Sequence, residues 1–141
     1  MLADIEALKR QLDGMKTWAD YSSDDWTPTF TGFSADPASP SCRYVLIGKI
    51  CTVFVVLSNP GTSNQTYFTM TGPFTANASG AQRGSICYYA IDNGAVLATP
   101  AMALINASSN IIVLYKDAAG AAWTAANGKA ARFTLTYEIE E

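Results

Sequence analysis

Two periodicities divide the chain. In its first eighteen residues apolar side chains recur at Met1, Ile5, Leu8, Leu12 and Met15, at intervals of four, three, four and three. That spacing predicts a helix over residues 1–18 with one narrow apolar stripe: Ile5 and Leu12 take heptad position a, Leu8 and Met15 position d. Asp4 at g and Lys9 at the following e can pair between parallel neighbours, and Gln11 and Lys16 take the next such positions. Gly14 costs such a helix about 1 kcal/mol. Two heptads do not hold a helix in water by themselves, so the stripe needs a cover. The alternatives are the chain's own domain or further copies of the chain. A terminal position, a narrow stripe and the polar break that follows favour copies: a coiled-coil helix with Ile5, Leu8, Leu12 and Met15 as association residues.

Residues 19–25, including Asp20-Tyr21-Ser22-Ser23-Asp24-Asp25, read as a linker. From Trp26 the helical period gives way to Thr, Val, Ile, Tyr, Ser, Asn and Gly, the residues of strands and turns. Strands are predicted at Thr27–Phe33, Arg43–Ile47, Lys49–Ser58, Gln65–Met70, Ala81–Asp92, Ala95–Ile105, Asn110–Lys116 and Ala131–Ile139. Between them lie Asn59-Pro60-Gly61, Gly72-Pro73, Asp92-Asn93-Gly94, Ser108-Ser109-Asn110, Ala119-Gly120 and Asn127-Gly128, turn sequences that favour positive φ. Residues 26–141 are therefore expected to fold as one mainly β domain, an antiparallel β-sandwich of jelly-roll type.

Several of these strands do not alternate. Cys51-Thr52-Val53-Phe54-Val55-Val56-Leu57 is apolar on both faces, Asn110-Ile111-Ile112-Val113-Leu114-Tyr115 likewise, and Ala101-Met102-Ala103-Leu104-Ile105 nearly so. A two-layer sandwich buries one face of each sheet, and large bare apolar patches are rare on monomers. Without a second helix to form a third layer, self-association is the expected cover, in agreement with the heptad.

Composition narrows the chemistry. Hydrophobic residues are 49% and charged residues 15% of the 141, which excludes disorder. A net charge of −3 and scattered basic residues argue against nucleic acid. An apolar run of about seven residues, Cys51–Leu57, is far short of the ~20 that cross a bilayer, so membrane insertion is not expected. The start, Met1-Leu2-Ala3-Asp4-Ile5-Glu6, lacks the pattern of a signal peptide, and synthesis in a reducing cytoplasm is expected. Cys42, Cys51 and Cys87 have no zinc spacing and read as small buried hydrophobes. The three N-x-S/T sequons, at Asn64, Asn77 and Asn106, read as chance in an Asn/Ser/Thr-rich chain. The absence of histidine removes Ser-His-Asp and Cys-His catalysis and His-ligated zinc. Asp24-Asp25 read as solvated, and Glu138 with Glu140 at a strand end make a poor pocket for carboxylate-pair hydrolysis. No catalytic residue, metal or cofactor is expected.

Surface recognition is the more plausible activity. Sugar sites combine an aromatic face with surrounding amides and hydroxyls. Trp123, in a long small-residue stretch ending at Asn127-Gly128, is either a core plug or an exposed contact. Tyr89 and Tyr67 are weaker aromatic candidates, and the polar loop Asn59–Gln65 brings in Asn64. The candidate receptor-binding residues are thus Trp123, Asn127, Tyr89, Tyr67 and Asn64.

The phrase Trp26-Thr27-Pro28-Thr29-Phe30-Thr31-Gly32, followed by Arg43-Tyr44-Val45-Leu46-Ile47-Gly48-Lys49-Ile50, resembles the C-terminal β-domain of bacteriophage tail-fibre and minor structural proteins. A W-x-P-x-x-x-G opening, a Y-x-x-I-G-K hairpin leading into a long apolar strand, an aromatic pair matched by Tyr88-Tyr89, and a final strand matched by Phe133–Tyr137 carry the resemblance over residues 26–141. It implies a trimer at the tip of a fibre, with residues 1–18 as the end of a stalk. The heptad residues alone decide little between two and three strands. It further implies a non-catalytic module in the virion tail, contacting other phage tail proteins and attaching to bacterial surface glycan or another host receptor. The alternatives are a purely structural trimerisation or capping module and, disfavoured by the missing histidine, a polysaccharide depolymerase.

Overall fold

The computed structural model describes residues 1–13, 25–80 and 82–140. Helix α1 spans Leu2–Asp13, with Asp4 in its first turn and Arg10 in its last, each complementing the helix dipole. Every side chain from Met1 to Gln11 is exposed, and the seam residues Ile5 and Leu8 are exposed to 49% and 58%. Met15 and most of the expected linker lie outside the described residues. Asp25, read from sequence as solvated linker, is exposed and also bridges Arg43 in an antiparallel pair, meeting its Nε at 3.1 Å. The strand pairing therefore already includes Asp25.

Twelve strands follow: β1 (Phe30–Thr31), β2 (Phe33–Ala35), β3 (Ser41–Ile47), β4 (Ile50–Val56), β5 (Gly61–Ser63) and β6 (Phe68–Thr71), then β7 (Arg83–Cys87), β8 (Tyr89–Asp92), β9 (Ala95–Val96), β10 (Ala101–Ile105), β11 (Ile111–Tyr115) and β12 (Gly128–Glu138). They form two antiparallel sheets, one in the order β1-β6-β11-β10-β7 and one in the order β2-β5-β12-β4-β3, with β8 and β9 added beside β12. The architecture is mainly β and consistent with a β-sandwich.

Side-chain parity explains the core. Lys129, Ala131, Phe133, Leu135 and Tyr137 share the inward face of β12, and Cys51, Val53 and Val55 that of β4. Against them the other sheet brings Phe68, Met70, Ile112, Leu114, Ala101, Ala103, Ile105 and Cys87. All three cysteines are free and buried, and burial pushes the thiols of Cys42 and Cys87 up to about 12 and that of Cys51 to about 11. They are protonated packing groups at neutral pH.

Where the sequence pattern predicts single strands, the chain several times switches sheets. The segment Thr27–Phe33 breaks at Gly32, whose φ of +98° turns the chain from β1 in one sheet to β2 in the other. Ala81–Asp92 divides at Tyr88 into β7 and β8, and Ala95–Ile105 divides at Leu97–Pro100 into β9 and β10. Two hairpins match their turn chemistry: Gly48, at φ +59°, opens the β3–β4 reversal, and Asn93-Gly94, at +53° and +77°, closes β8–β9 in a two-residue turn. Pro28 precedes the edge strand β1, where a missing donor costs no ladder bond.

The outer faces differ from one another. On the five-stranded sheet Ile86, Met102 and Tyr115 form one cross-strand row, and Gly84, Leu104, Val113, Thr69 and Thr31 the next. Ile86 is 64% exposed. On the other sheet Phe54 and Val56 are half-buried, and hydroxyl pairs such as Thr52–Thr136 at 2.9 Å interrupt the apolar run.

Candidate functional site: the apical rim

At the end of the molecule where β12 begins, three connections meet. They are the β5–β6 loop, Asn64–Tyr67, the β8–β9 turn at Asn93-Gly94, and the approach to β12, Thr124–Asn127. Main-chain bonds knit them: Ser63 N–H to the Asn127 carbonyl at 2.8 Å, Trp123 N–H to Thr66 at 2.9 Å, and Gly94 N–H to Gly128 at 3.0 Å. The Ser63 hydroxyl donates to the Thr124 carbonyl at 2.7 Å, and the Asn127 amide to the Asn93 side chain at 2.6 Å. Asn93 and Asn127 both hold left-handed backbone, which asparagine tolerates better than most residues.

Two buried ions lie under this rim. Asp92 is 4% exposed and faces the core side of β8, like Ala90. It accepts from Thr124 N–H and Thr124 Oγ1, both at 2.8 Å, and from Lys116 Nζ at 3.0 Å. Burial pushes its carboxyl up, but these donors outweigh burial and hold it below the ordinary 3.8. Lys129 is fully buried, with Nζ donating to the carbonyls of Tyr67 at 2.8 Å, Gly32 at 2.9 Å and Gln65 at 3.3 Å. The Phe33 and Phe68 rings lie 4.7 and 5.5 Å from it. Burial pulls its ammonium down from 10.5 to about 8, with Asp92 acting in the opposite direction.

Of the residues singled out from sequence, the rim brings together Asn64, Tyr67 and Asn127, all exposed, with Tyr67 at 51%. Trp123 is corrected: it is no surface contact but a core plug, 2% exposed, its ring 5.3 Å from that of Phe68 and its indole N–H bonded to the Leu114 carbonyl at 2.9 Å. The small residues beside it, Ala119-Gly120-Ala121-Ala122, let the chain fold the indole inward instead of displaying it. Tyr89 stands apart, half-buried on the outer face of the seven-stranded sheet, with the Arg132 guanidinium over its ring at 4.3 Å. Ile5 and Leu8 form the exposed stripe of α1, and Leu12 lies in its last turn.

Sequence reasoning passed over Asp92 and Lys129, one read as a turn residue and the other as a scattered surface charge. The signal for Lys129 was present: it shares strand parity with Ala131, Phe133, Leu135 and Tyr137, so β12 had to point it inward. Assigning that parity required a strand beginning at Gly128, three residues before the expected start.

The rim is hydrogen-bonded across its three connections and presents amides and hydroxyls with the exposed Tyr67 phenol, groups that offer hydrogen bonds and an aromatic face to a polar ligand. Among the described residues no three of His, Cys, Asp and Glu come together as a metal group, and no helix is long and apolar enough to cross a membrane. Compared with known protein families and with curated proteins, the sequence matches none of them.

Proposed function

We propose that this chain is a non-catalytic attachment module: a jelly-roll sandwich carried as a homotrimer on an N-terminal coiled coil, which tips a bacteriophage fibre and binds bacterial surface glycan through its apical rim. The observation that supports the reading is the exposure of Ile5 and Leu8 on α1. Ile5 and Leu8 stand exposed, with Asp4 and Lys9 placed to pair across a parallel neighbour, so the stripe suits other copies of the chain better than its own sandwich. The rim, with Asn64, Tyr67 and Asn127 in one patch, supports attachment, and the likeness of the Trp26–Gly32 and Tyr44–Lys49 phrases to fibre-tip domains supplies the setting.

A second reading is a capping or trimerisation module without receptor; the outer row Ile86, Met102 and Tyr115 suits subunit packing in either reading. Light scattering tests the assembly: a particle of about three times 15.0 kDa is expected. Leu8→Ser is expected to lower that mass, and a wild-type monomer would sink the trimer. Glycan-array and whole-cell binding of the Asn64→Ala/Tyr67→Ala double variant separates the two readings. Loss of wild-type binding in the variant supports the rim as receptor site. No binding by the wild type to any cell or glycan favours the cap.

A further inference from the structure

Every hydrogen bond of the ammonium inside the apical end goes to main chain. Lys129 Nζ has three protons, and three carbonyl oxygens, of Gly32, Gln65 and Tyr67, converge on it within 2.8–3.3 Å. Two phenyl rings, Phe33 and Phe68, lie beside it, and a buried ammonium is attracted to ring faces. The donor count and the acceptor count match, which fits a primary ammonium and no more substituted cation. Among the described residues the anion acting on Lys129 is Asp92, itself bonded to Lys116 and Thr124. Gly32 completes the cage: it holds a φ of +98°, and a Cβ there would collide with the Tyr67 carbonyl and lie 2.9 Å from Nζ.

None of the three carbonyls sits in a strand ladder. Gln65 and Tyr67 belong to the β5–β6 loop and Gly32 to the corner between β1 and β2. Three carbonyl dipoles aimed at one point repel each other unless a cation occupies it. The cation therefore does more than satisfy acceptors, because it makes the loop conformation favourable.

We propose that these carbonyls and rings form a primary-ammonium site, filled in cis by Lys129, and that its occupancy holds the Asn64–Tyr67 loop in place. The site is independent of whether the rim binds glycan, since its readout is loop order and not receptor binding.

Two amides report the loop directly: Asn64 N–H, bonded to Gly32, and Trp123 N–H, bonded to Thr66. Gly72 N–H and Ile139 N–H, bonded to Asn110 and Lys49 outside this loop, serve as controls. In Lys129→Met, which keeps the chain's bulk without the ammonium, hydrogen exchange at the two reporters is expected to quicken at least about tenfold relative to the controls. In Lys129→Ala, n-butylammonium is expected to restore their protection. Tetramethylammonium and sodium at equal ionic strength are not, because neither can donate three hydrogen bonds. Should Lys129→Ala be unfolded, the same cations are compared for recovery of its thermal transition, with butylammonium alone raising it. Unchanged reporter protection in Lys129→Met would overturn the proposal. So would equal rescue by all cations, or no rescue by butylammonium.

Discussion

The two ends of the long strand β12 face the same problem and answer it with different chemistry. Lys129 and Tyr137 share its inward face eight residues apart, about 26 Å along the strand, and each meets main chain where a loop crosses the core. At the apical end an ammonium satisfies three carbonyls, with a buried carboxylate nearby. At the far end a neutral phenol serves: Tyr137 Oη donates to the Phe74 carbonyl at 2.8 Å and accepts from Phe74 N–H at 3.3 Å. Around it Trp26, Tyr44 and Phe74 meet edge to face. The Trp26 indole N–H bonds to the Thr71 carbonyl. The difference teaches that a buried charge gathers more chain than a neutral group, since one ammonium ties three separate acceptors. It also makes that end sensitive to pH, whereas burial pushes the Tyr137 phenol upward and keeps it protonated.

The largest effect is expected where the apical rim rests on the core. Trp123→Ala removes a buried ring and leaves the Leu114 carbonyl without its donor, so a loss of about 3–5 kcal/mol is expected in urea or thermal unfolding. A loss below about 0.5 kcal/mol would mean that the indole is a surface group after all.

Next comes a glycine comparison between the two ends. Gly32→Ala forces a side chain into left-handed backbone and into the ammonium cage, and a cost of about 3 kcal/mol is expected. Gly72→Ala, whose Cβ would meet the hydrogen-bonded Tyr137 hydroxyl at 3.2 Å without unusual φ, is expected to cost about 1 kcal/mol. Equal costs would show that the cage is not the tighter of the two ends.

The pH response distinguishes the ends by sign. Between about pH 8 and 10.5 the unfolded chain keeps the Lys129 proton and the folded chain has released it, so linkage raises global stability with pH as the cost of burying the charge is relieved, while loss of the cation loosens the Asn64–Tyr67 loop locally; denaturation reads the first and hydrogen exchange the second. The increment is up to about 3 kcal/mol. It is read as wild type minus Lys129→Met, because the buried thiols and Tyr137, all shifted upward, act in the opposite direction above about pH 9 in both proteins. On the acid side Asp92, held below 3.8, contributes stability that is present above that value and lost as pH falls through its folded pKa. Asp92→Asn is expected to remove that acid slope, and retention of the full slope would assign it to other carboxylates.

Among the removals of a polar group the smallest effect belongs to the far end. Tyr137→Phe removes one hydroxyl with two partners and is expected to cost about 1–2 kcal/mol, without changing the wild-type minus Lys129→Met difference. A change in that difference would couple the two ends through β12.

Local rules carried far in this chain. Propensity located the strands β4 and β11, which are apolar on both faces, alternation marked the inward face of most of β12, and turn chemistry located the reversals at Gly48 and Asn93-Gly94, because each depends on a few neighbouring residues. The same rules read through the corners at Gly32, Tyr88 and Leu97–Pro100, since a strand that changes sheets keeps its β-forming residues while its partners change. They also placed Trp123 no better than at the core or the surface, because only the fold of the alanine-rich stretch beside it sets which way the indole turns.

By itself the sequence determined a mainly β domain behind a heptad-patterned helix, together with two of its hairpin turns and its buried thiols. These follow from periodicity, propensity and backbone sterics. Only the tertiary structure decided that Asn64, Tyr67 and Asn127 share one rim, that Asp92 and Lys129 are interior ions, and that Tyr89 lies elsewhere under Arg132. Each of these depends on pairs 24 to 97 residues apart, from Asp92 and Lys116 to Gly32 and Lys129, that meet only when the sheets assemble.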